Sequence, residues 1–234
     1  MIDKQAILER AKMWFREAIA DSHIRNTEKL KNPKEFKINP FLAVYLANFL
    51  TGKSDPEDIA RALVYPRVLG TSITTSLGMN LQGFTSVLEG FGSTTVGIDI
   101  EFIDQVDGHK KYCQLKAGPN TINKDDVESI AGHFRGVVNL ARTNGRRISI
   151  DDLIVGVMYG VPGELSSHYK RITRQYHHPV IIGQDFWRRL TGDDDFYRDL
   201  IAAVGSVAVE ADFSAELENV IQELSNTDAI KGIV

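Results

Sequence analysis

The sequence predicts an α/β protein, with a helical lobe over residues 1–92 in front of an α/β core over 93–234. Three observations carry that reading. Apolar residues recur at helix spacing through the first ninety positions, the period drops to two at Thr94, and helix-like and strand-like stretches alternate from there to Ile182. A chain of 234 residues can bury a sizeable core, as one large domain or as a core with an added lobe. No uninterrupted apolar run is long enough to cross a bilayer, so no membrane partner is expected. The opening MIDKQAILERAKMWFREAI is charged with both signs and has no apolar h-region, which makes the cytoplasm the expected location. Cys113 is the single cysteine; it allows no intramolecular disulfide and no thiolate metal cluster, so zinc is not expected.

In chain order, Ile7, Leu8, Ala11, Phe15, Ala18 and Ile19 mark a first amphipathic helix. Asn39-Pro40 and Asp55-Pro56 each set a capping side chain before a proline at the first helical position, and so start two more. Residues 71–88, broken by Gly78 and Gly83, predict another helix, and Gly90 to Gly92 a boundary. In VGIDIEFI, Val96, Ile98, Ile100 and Phe102 alternate with Gly97, Asp99, Glu101 and Ile103, as a strand requires. KKYCQLK repeats the alternation, and DQVDGH between the two closes an antiparallel hairpin. If the apolar faces agree, Asp99 sits opposite Gln114 or Lys116, because a one-residue slip would bury the charges. Asn123 or Thr121 then caps a helix over 125–142 with Val127, Ile130, Ala131, Phe134, Val137, Val138 and Ala141 inward. LIVGVMYGV reads as a strand covered on both faces. The run SSHYKRITRQYHHP reads as a polar loop leading to a short strand at Val180 to Ile182, and helices follow in QDFWRRLTG, in DFYRDLIAAVGSVAV and over 214–224.

Asp99, Glu101, Gln114 and Lys116 are the loaded residues of the hairpin. Metal-dependent phosphodiester hydrolysis needs a carboxylate to fix a divalent cation against the phosphate, a group that aligns water, and a cation near the developing charge. Asp99 suits the first task and Lys116 the last, and the main-chain carbonyl of Leu115 would face such an ion if the strand is irregular there. Oxygen donors of this kind suit Mg²⁺ better than zinc. The same spacing also describes the wet face of a hairpin, with Asp99 and Lys116 an ordinary cross-strand pair worth about a few tenths of a kcal/mol.

Longer motifs decide between these accounts. AGPNTINKDDV follows Lys116, and VIIGQDFWRRLTGDDDFYRDLI follows the apolar strand. With the order helical lobe, strand with Asp, strand with x-Lys, helix, apolar strand, they resemble type II restriction endonucleases of the PD-(D/E)xK superfamily. Several of these carry a K-[SA]-GPNTINKDDV segment after the catalytic lysine and a Gly-x-x-Phe-Trp…Thr-Gly…Asp-Phe-Tyr segment after the core sheet. The similarity spans residues 96–208, about half of the chain. It implies a PD-(D/E)xK restriction-endonuclease-like core, a mixed central sheet flanked by helices. It also implies Mg²⁺-dependent hydrolysis of double-stranded DNA at a short palindrome, giving 5′-phosphate and 3′-hydroxyl ends. A homodimer and a cognate DNA methyltransferase as functional partner follow from the same resemblance.

By position Asp99 matches the motif's aspartate and Lys116 its lysine, while Gly97-Ile98 stands where a proline often precedes the aspartate. Gln114 departs from the usual Glu or Asp. An amide oxygen ligates Mg²⁺ without adding charge, so a second carboxylate is sought. Glu101 lies on the same strand face and is the nearest choice, with Glu128 and Glu89 behind it; Glu101 fits a solvated strand residue equally well. The departure keeps three rivals in view: a structure-selective repair or junction nuclease on the same core, a DNA-binding protein made inactive by Gln114, and an unrelated α/β enzyme.

The net charge of −4 hides a segregated chain. Residues 108–147 hold eight Lys and Arg against three acids, whereas 192–228 hold ten acids and one Arg, so one face can be basic. Asn120, Asn123 and Lys124 open a helix just after Lys116, where backbone N–H groups can hold a DNA phosphate, although simple capping explains Asn123 as well. His168, Lys170, Arg171, Arg174 and Gln175, with Tyr169 and His177, have the chemistry that reads base edges in the major groove; a solvated loop is the alternative. Phe186, Trp187, Phe196 and Tyr197 recur at helical spacing and are expected in the core, and Cys113 is expected as an inert buried thiol.

Overall fold

The structure, a computed structural model, describes residues 3–70, 73, 80, 83–84, 87–88, 90–211 and 213–233. The chain divides into two compact units. The first comprises Met1–Lys12 and Asn80–Val204, the second Met13–Met79 and Gly205–Val234. This differs from a single cut at residue 92. The last thirty residues go with the second unit because Val220, Ile221, Leu224 and Ile230 fill its core, a long-range fact that no local pattern reveals.

The first unit carries the sheet. Strands β1 (Ile100–Ile103), β2 (Lys110–Lys116), β3 (Leu153–Val157) and β4 (Val180–Ile182) lie in that order. β1 pairs antiparallel with β2, and β2–β3 and β3–β4 are parallel. This is a mixed α/β architecture, consistent with the restriction-endonuclease-like class. β1 is shorter than its sequence pattern because Gly97, at φ +79°, turns the chain just before it. The hairpin pairs Ile100 with Cys113, and one step further that register sets Asp99 across from Gln114.

Helix α5 (Lys124–Thr143) connects β2 to β3, capped by Asn123, whose side chain accepts from the N–H of Asp125 and Asp126 while Asp126 reaches back to the N–H of Asn123. Its Val127, Ile130, Phe134 and Val137 pack on Leu153, Val155 and Val157. Alternate strand residues face the other way. There Gly156 meets the ring of Phe186 and the sulfur of Cys113, and Phe186, Trp187 and Phe196 form an aromatic chain with centroids 5.1 and 5.4 Å apart. β3 is buried along its whole length, as its unbroken apolar run requires. Phe186, Trp187 and Phe196 lie in the core as expected. Cys113 is fully buried, and burial pushes its thiol well above the ordinary range.

One expectation is corrected outright. Residues expected to form a polar loop between β3 and β4 include helix α6 (Ser167–Tyr176). Tyr169, Ile172 and Tyr176 sit at positions i, i+3 and i+7 against α5 and the sheet, and this three-residue stripe is enough to hold a helix whose other residues are polar. His177, at φ +60°, ends it two residues before Pro179. Helices α7 (Gln184–Thr191) and α8 (Phe196–Glu210) follow β4, as their spacing predicts.

The first amphipathic helix, α1 (Lys4–Phe15), continues through a π segment (Arg16–Ala20) into α2 (Asp21–Glu28) of the second unit. Ile19 and Ala20 are buried. Asn39 caps α3 (Pro40–Thr51) by accepting from the N–H of Phe41 and Leu42, and Asp55 caps α4 (Pro56–Val68) by accepting from the N–H of Asp58, both with proline next, as the sequence predicts. Helices α9 (Phe213–Ser225) and α10 (Asp228–Lys231) complete the unit. Arg61 bridges Glu57 at 2.8 Å and Glu218 at 3.1 Å, joining α4 to α9. Most of the helix expected over residues 71–88, and Glu89, lie outside the described residues. No described helix is long and apolar enough to cross a membrane.

Candidate active site

Beyond the turn at Gly97, β2 runs on past β1 while still paired with β3, and a cleft of about 350 Å³ lies there. Gly97, Asp99, Gln114 and Lys116 line one side; Asp126, Ser129, Ile130 and His133 of α5 line the other. Asp99 is fixed at both ends. Its N–H donates to the Cys113 carbonyl at 3.0 Å, and its Oδ2 accepts from the N–H of Leu115 at 2.7 Å. Because the N–H and C=O of one strand residue point to the same edge, the Leu115 carbonyl is directed to the side on which Asp99 stands. Lys116 is half-buried, and its ammonium makes no hydrogen bond or ion pair among the described residues. Gln114 is 5% exposed, and its Nε2 lies 2.6 Å from the Gly97 carbonyl and 2.7 Å from His133 Nδ1.

Register and topology together produce this cleft. Tyr112, Gln114 and Lys116 are paired in parallel with Leu153, Val155 and Val157, the residues over which α5 packs. The polar face of the hairpin is therefore covered by a helix rather than left in water. The helix supplies a carboxylate, a hydroxyl and an imidazole, none of them singled out by the sequence. Asp126, Ser129, Ile130 and His133 recur at helix spacing along the edge of the core stripe, with Ile130 shared between the two, and that periodicity was the available signal.

Glu101 does not line the cleft. Its Oε1 accepts from Ser93 and Thr95 at 2.6 and 2.7 Å, and its Oε2 lies 2.7 Å from Lys110. Burial raises the Glu101 carboxyl's pKa, but these three donors outweigh it and hold the group below the usual carboxylate range. Glu128 is likewise engaged: Tyr176 donates to it at 2.8 Å and Arg171 at 2.5 Å, and the tyrosine hydroxyl first, then the arginine, lowers its pKa. Asp126 is the second carboxylate in the cleft, with one oxygen given to the Asn123 cap. No group of three or more His, Cys, Asp and Glu that could hold a metal exists among the described residues. Asp99 is the one carboxylate on the strand side, and its oxygens with the Gln114 amide oxygen are donors that fit a hard divalent cation.

The residues expected to meet DNA separate in the structure. Arg171 donates through Nε to Gln175 at 2.6 Å as well as to Glu128, so both α6 residues are held within the fold. Lys170 and Arg174 are exposed on the same helix and make no bond or ion pair among the described residues. His168 is half-buried, and Asn120 and Lys124 are exposed beside the N-terminus of α5. Asn123 is spent on capping.

Asp99, Gln114 and Lys116 of this mixed sheet thus share one cleft with Asp126 and His133 of α5. A family model described as Type II restriction endonuclease EcoO109I matches residues 12–212, most of the chain. The chain belongs to that family and is a site-specific deoxyribonuclease acting on double-stranded DNA. Enzymes of the family generally use a divalent metal. No curated protein matches the chain.

Proposed function

We propose that the protein hydrolyses both strands of DNA at a short palindromic site with Mg²⁺, leaving 5′-phosphate and 3′-hydroxyl ends. The observation that carries this reading is that Asp99 and Lys116 line one cleft, with Asp99 bonded to the Leu115 N–H and Lys116 without an ion pair among the described residues. Asp99, the Leu115 carbonyl and Gln114 would hold the cation. When bound, it supplies positive charge at the scissile phosphate and lowers the pKa of nearby water. Lys116 has no counter-charge among the described residues, so its ammonium would meet the charge that develops on the phosphoryl oxygens. Water adds to phosphorus, the bond to the 3′-oxygen breaks, and that oxygen takes up a proton. Asp126 is the nearest second carboxylate. Glu101 serves at one remove, by tying Ser93 and Thr95 to β1 and so holding the segment that carries Gly97.

DNA contact is assigned to two places. Lys170 and Arg174 project from α6 and reach base edges, with His168 beside them and Arg171 and Gln175 stiffening the helix. Asn120 and Lys124, exposed beside the capped N-terminus of α5, take a backbone phosphate.

Two scissile strands call for two copies of this cleft, and a two-fold dimer matches a palindrome. Support for the dimer comes from α3, PFLAVYLANFLT, which has no charged residue. Phe41 and Phe49 are 86% and 79% exposed, and Leu42, Tyr45, Leu46 and Leu50 are exposed beside them. These six side chains present on the order of 700 Å², close to the roughly 800 Å² per partner of a standard interface. A cognate methyltransferase is the functional counterpart.

The test is digestion of plasmid DNA with Mg²⁺. Discrete fragments ending in 5′-phosphates, lost in Lys116→Ala while DNA binding in Ca²⁺ persists, support the reading. Cutting restricted to branched or damaged DNA would replace it with a structure-selective nuclease.

A further inference from the structure

Gln114 stands where a carboxylate is usual, and its surroundings explain how an amide can serve there. A main-chain carbonyl only accepts hydrogen bonds, so the amide atom 2.6 Å from the Gly97 carbonyl is the nitrogen. The same nitrogen lies 2.7 Å from His133 Nδ1, which must then present a lone pair and leave the ring proton on Nε2. Both amide hydrogens are consumed. Oε1 accepts no hydrogen bond among the described residues and is the amide atom left for the cleft.

The chain is shaped around this contact. Gly97 adopts φ +79°, which favours glycine, and a Cβ built there would overlap the ring of His133. A proline at position 97 could reach neither that backbone conformation nor that approach. The two departures from the usual motif, Gly97 and Gln114, are thus coupled through one histidine on α5.

We propose that His133 is a positioning residue: with the Gly97 carbonyl it locks the Gln114 amide so that a neutral oxygen is presented to the divalent cation. A free amide would turn either end to the cleft, and its NH₂ end repels a cation. A carboxylate has two equivalent oxygens and needs no such lock. The role of His133 therefore depends on Gln114 being an amide, and it rests on the reading of Asp99, Gln114 and Lys116 as the metal site.

The test is a double-mutant cycle read by Mn²⁺ binding to the DNA-free full chain, followed as loss of the free-ion electron paramagnetic resonance signal. Plasmid cleavage against Mg²⁺ concentration is measured alongside. His133→Ala is expected to weaken Mn²⁺ binding about three- to tenfold, the scale of one net hydrogen bond. The Mg²⁺ concentration for half-maximal cleavage should rise by the same factor, with the rate at saturating Mg²⁺ largely kept. His133→Asn, which retains an acceptor, should restore affinity and serves if the alanine variant does not fold. In a Gln114→Glu background, His133→Ala should cause no weakening. Unchanged Mn²⁺ affinity in His133→Ala overturns the proposal, and so does an equal loss in both backgrounds, which would make His133 a ligand or a general support. Asp99→Ala is the control for the site itself. If it leaves Mn²⁺ affinity intact, the site reading fails and the proposal falls with it, an outcome distinct from failure of His133 alone.

Discussion

Replacing Asp99 by asparagine separates two tasks that one carboxylate performs. Oδ2 accepts the Leu115 N–H at 2.7 Å, a structural bond, and the charge is what a divalent cation needs. Asparagine keeps an acceptor for Leu115 but loses the charge. A hydrogen bond to a charged group contributes about 1.5–3 kcal/mol and a neutral one about 0.5–1.5, so Asp99→Asn should cost roughly 1 kcal/mol of stability. Asp99→Ala leaves the Leu115 N–H without its acceptor and should cost about 1–3 kcal/mol. Catalysis should not distinguish the two. Each removes the strand-side carboxylate of the cleft, and a loss of about 4 kcal/mol in transition-state stabilisation is roughly a thousandfold in rate. The assay is single-turnover cleavage of supercoiled plasmid, with urea unfolding for stability and gel shift in Ca²⁺ for DNA binding. Cleavage by Asp99→Asn within tenfold of the unmodified enzyme would refute Asp99 as the metal carboxylate.

Further outcomes follow from the same geometry. Arg174→Ala should lose about 1–3 kcal/mol of affinity on cognate duplex and little on scrambled duplex, whereas Lys124→Ala should weaken both alike and lower the salt slope by about one unit. Equal losses on both duplexes for Arg174→Ala would make α6 a backbone grip only. Phe41→Asp with Phe49→Asp should shift the protein from dimer to monomer in sedimentation; an unchanged dimer would place the interface off α3. His178 is buried, its Nδ1 has no hydrogen-bond partner among the described residues, and burial lowers its pKa below 6.5. The unfolded chain then binds a proton that the folded one resists, so stability is full above pH 6.5 and declines below it, by at most about 1.4 kcal/mol per pH unit from this group. His178→Leu, which keeps packing against Phe134, should flatten that part of the melting-temperature profile between pH 7 and 5, and an unaltered slope would remove His178 as its source.

Local chemistry was legible wherever a feature is closed within a few residues. Asn39-Pro40, Asp55-Pro56 and Asn123 cap helices because a side-chain oxygen meets N–H groups two or three positions on. The parity of the hairpin register was legible too, since a one-residue slip would bury the charges; of the two partners this left for Asp99, Gln114 and Lys116, the structure takes Gln114. Helix α6 was missed because its apolar stripe is three residues among seven polar ones, and only the sheet and α5 beneath it make that stripe sufficient.

Everything that depends on which element covers which was decided by the tertiary structure. The sequence by itself determined the residues Asp99, Gln114 and Lys116 and their adjacency, because strand pairing is a matter of alternation and turn length. It did not determine that the parallel crossover lays α5 over their face and brings Asp126 and His133 into the cleft. Nor did it determine that Glu101, one alternation from Asp99, is drawn off by Ser93, Thr95 and Lys110. A carboxylate goes to the donors nearest in space, and distances between elements far apart in the chain are set by packing rather than by any local pattern.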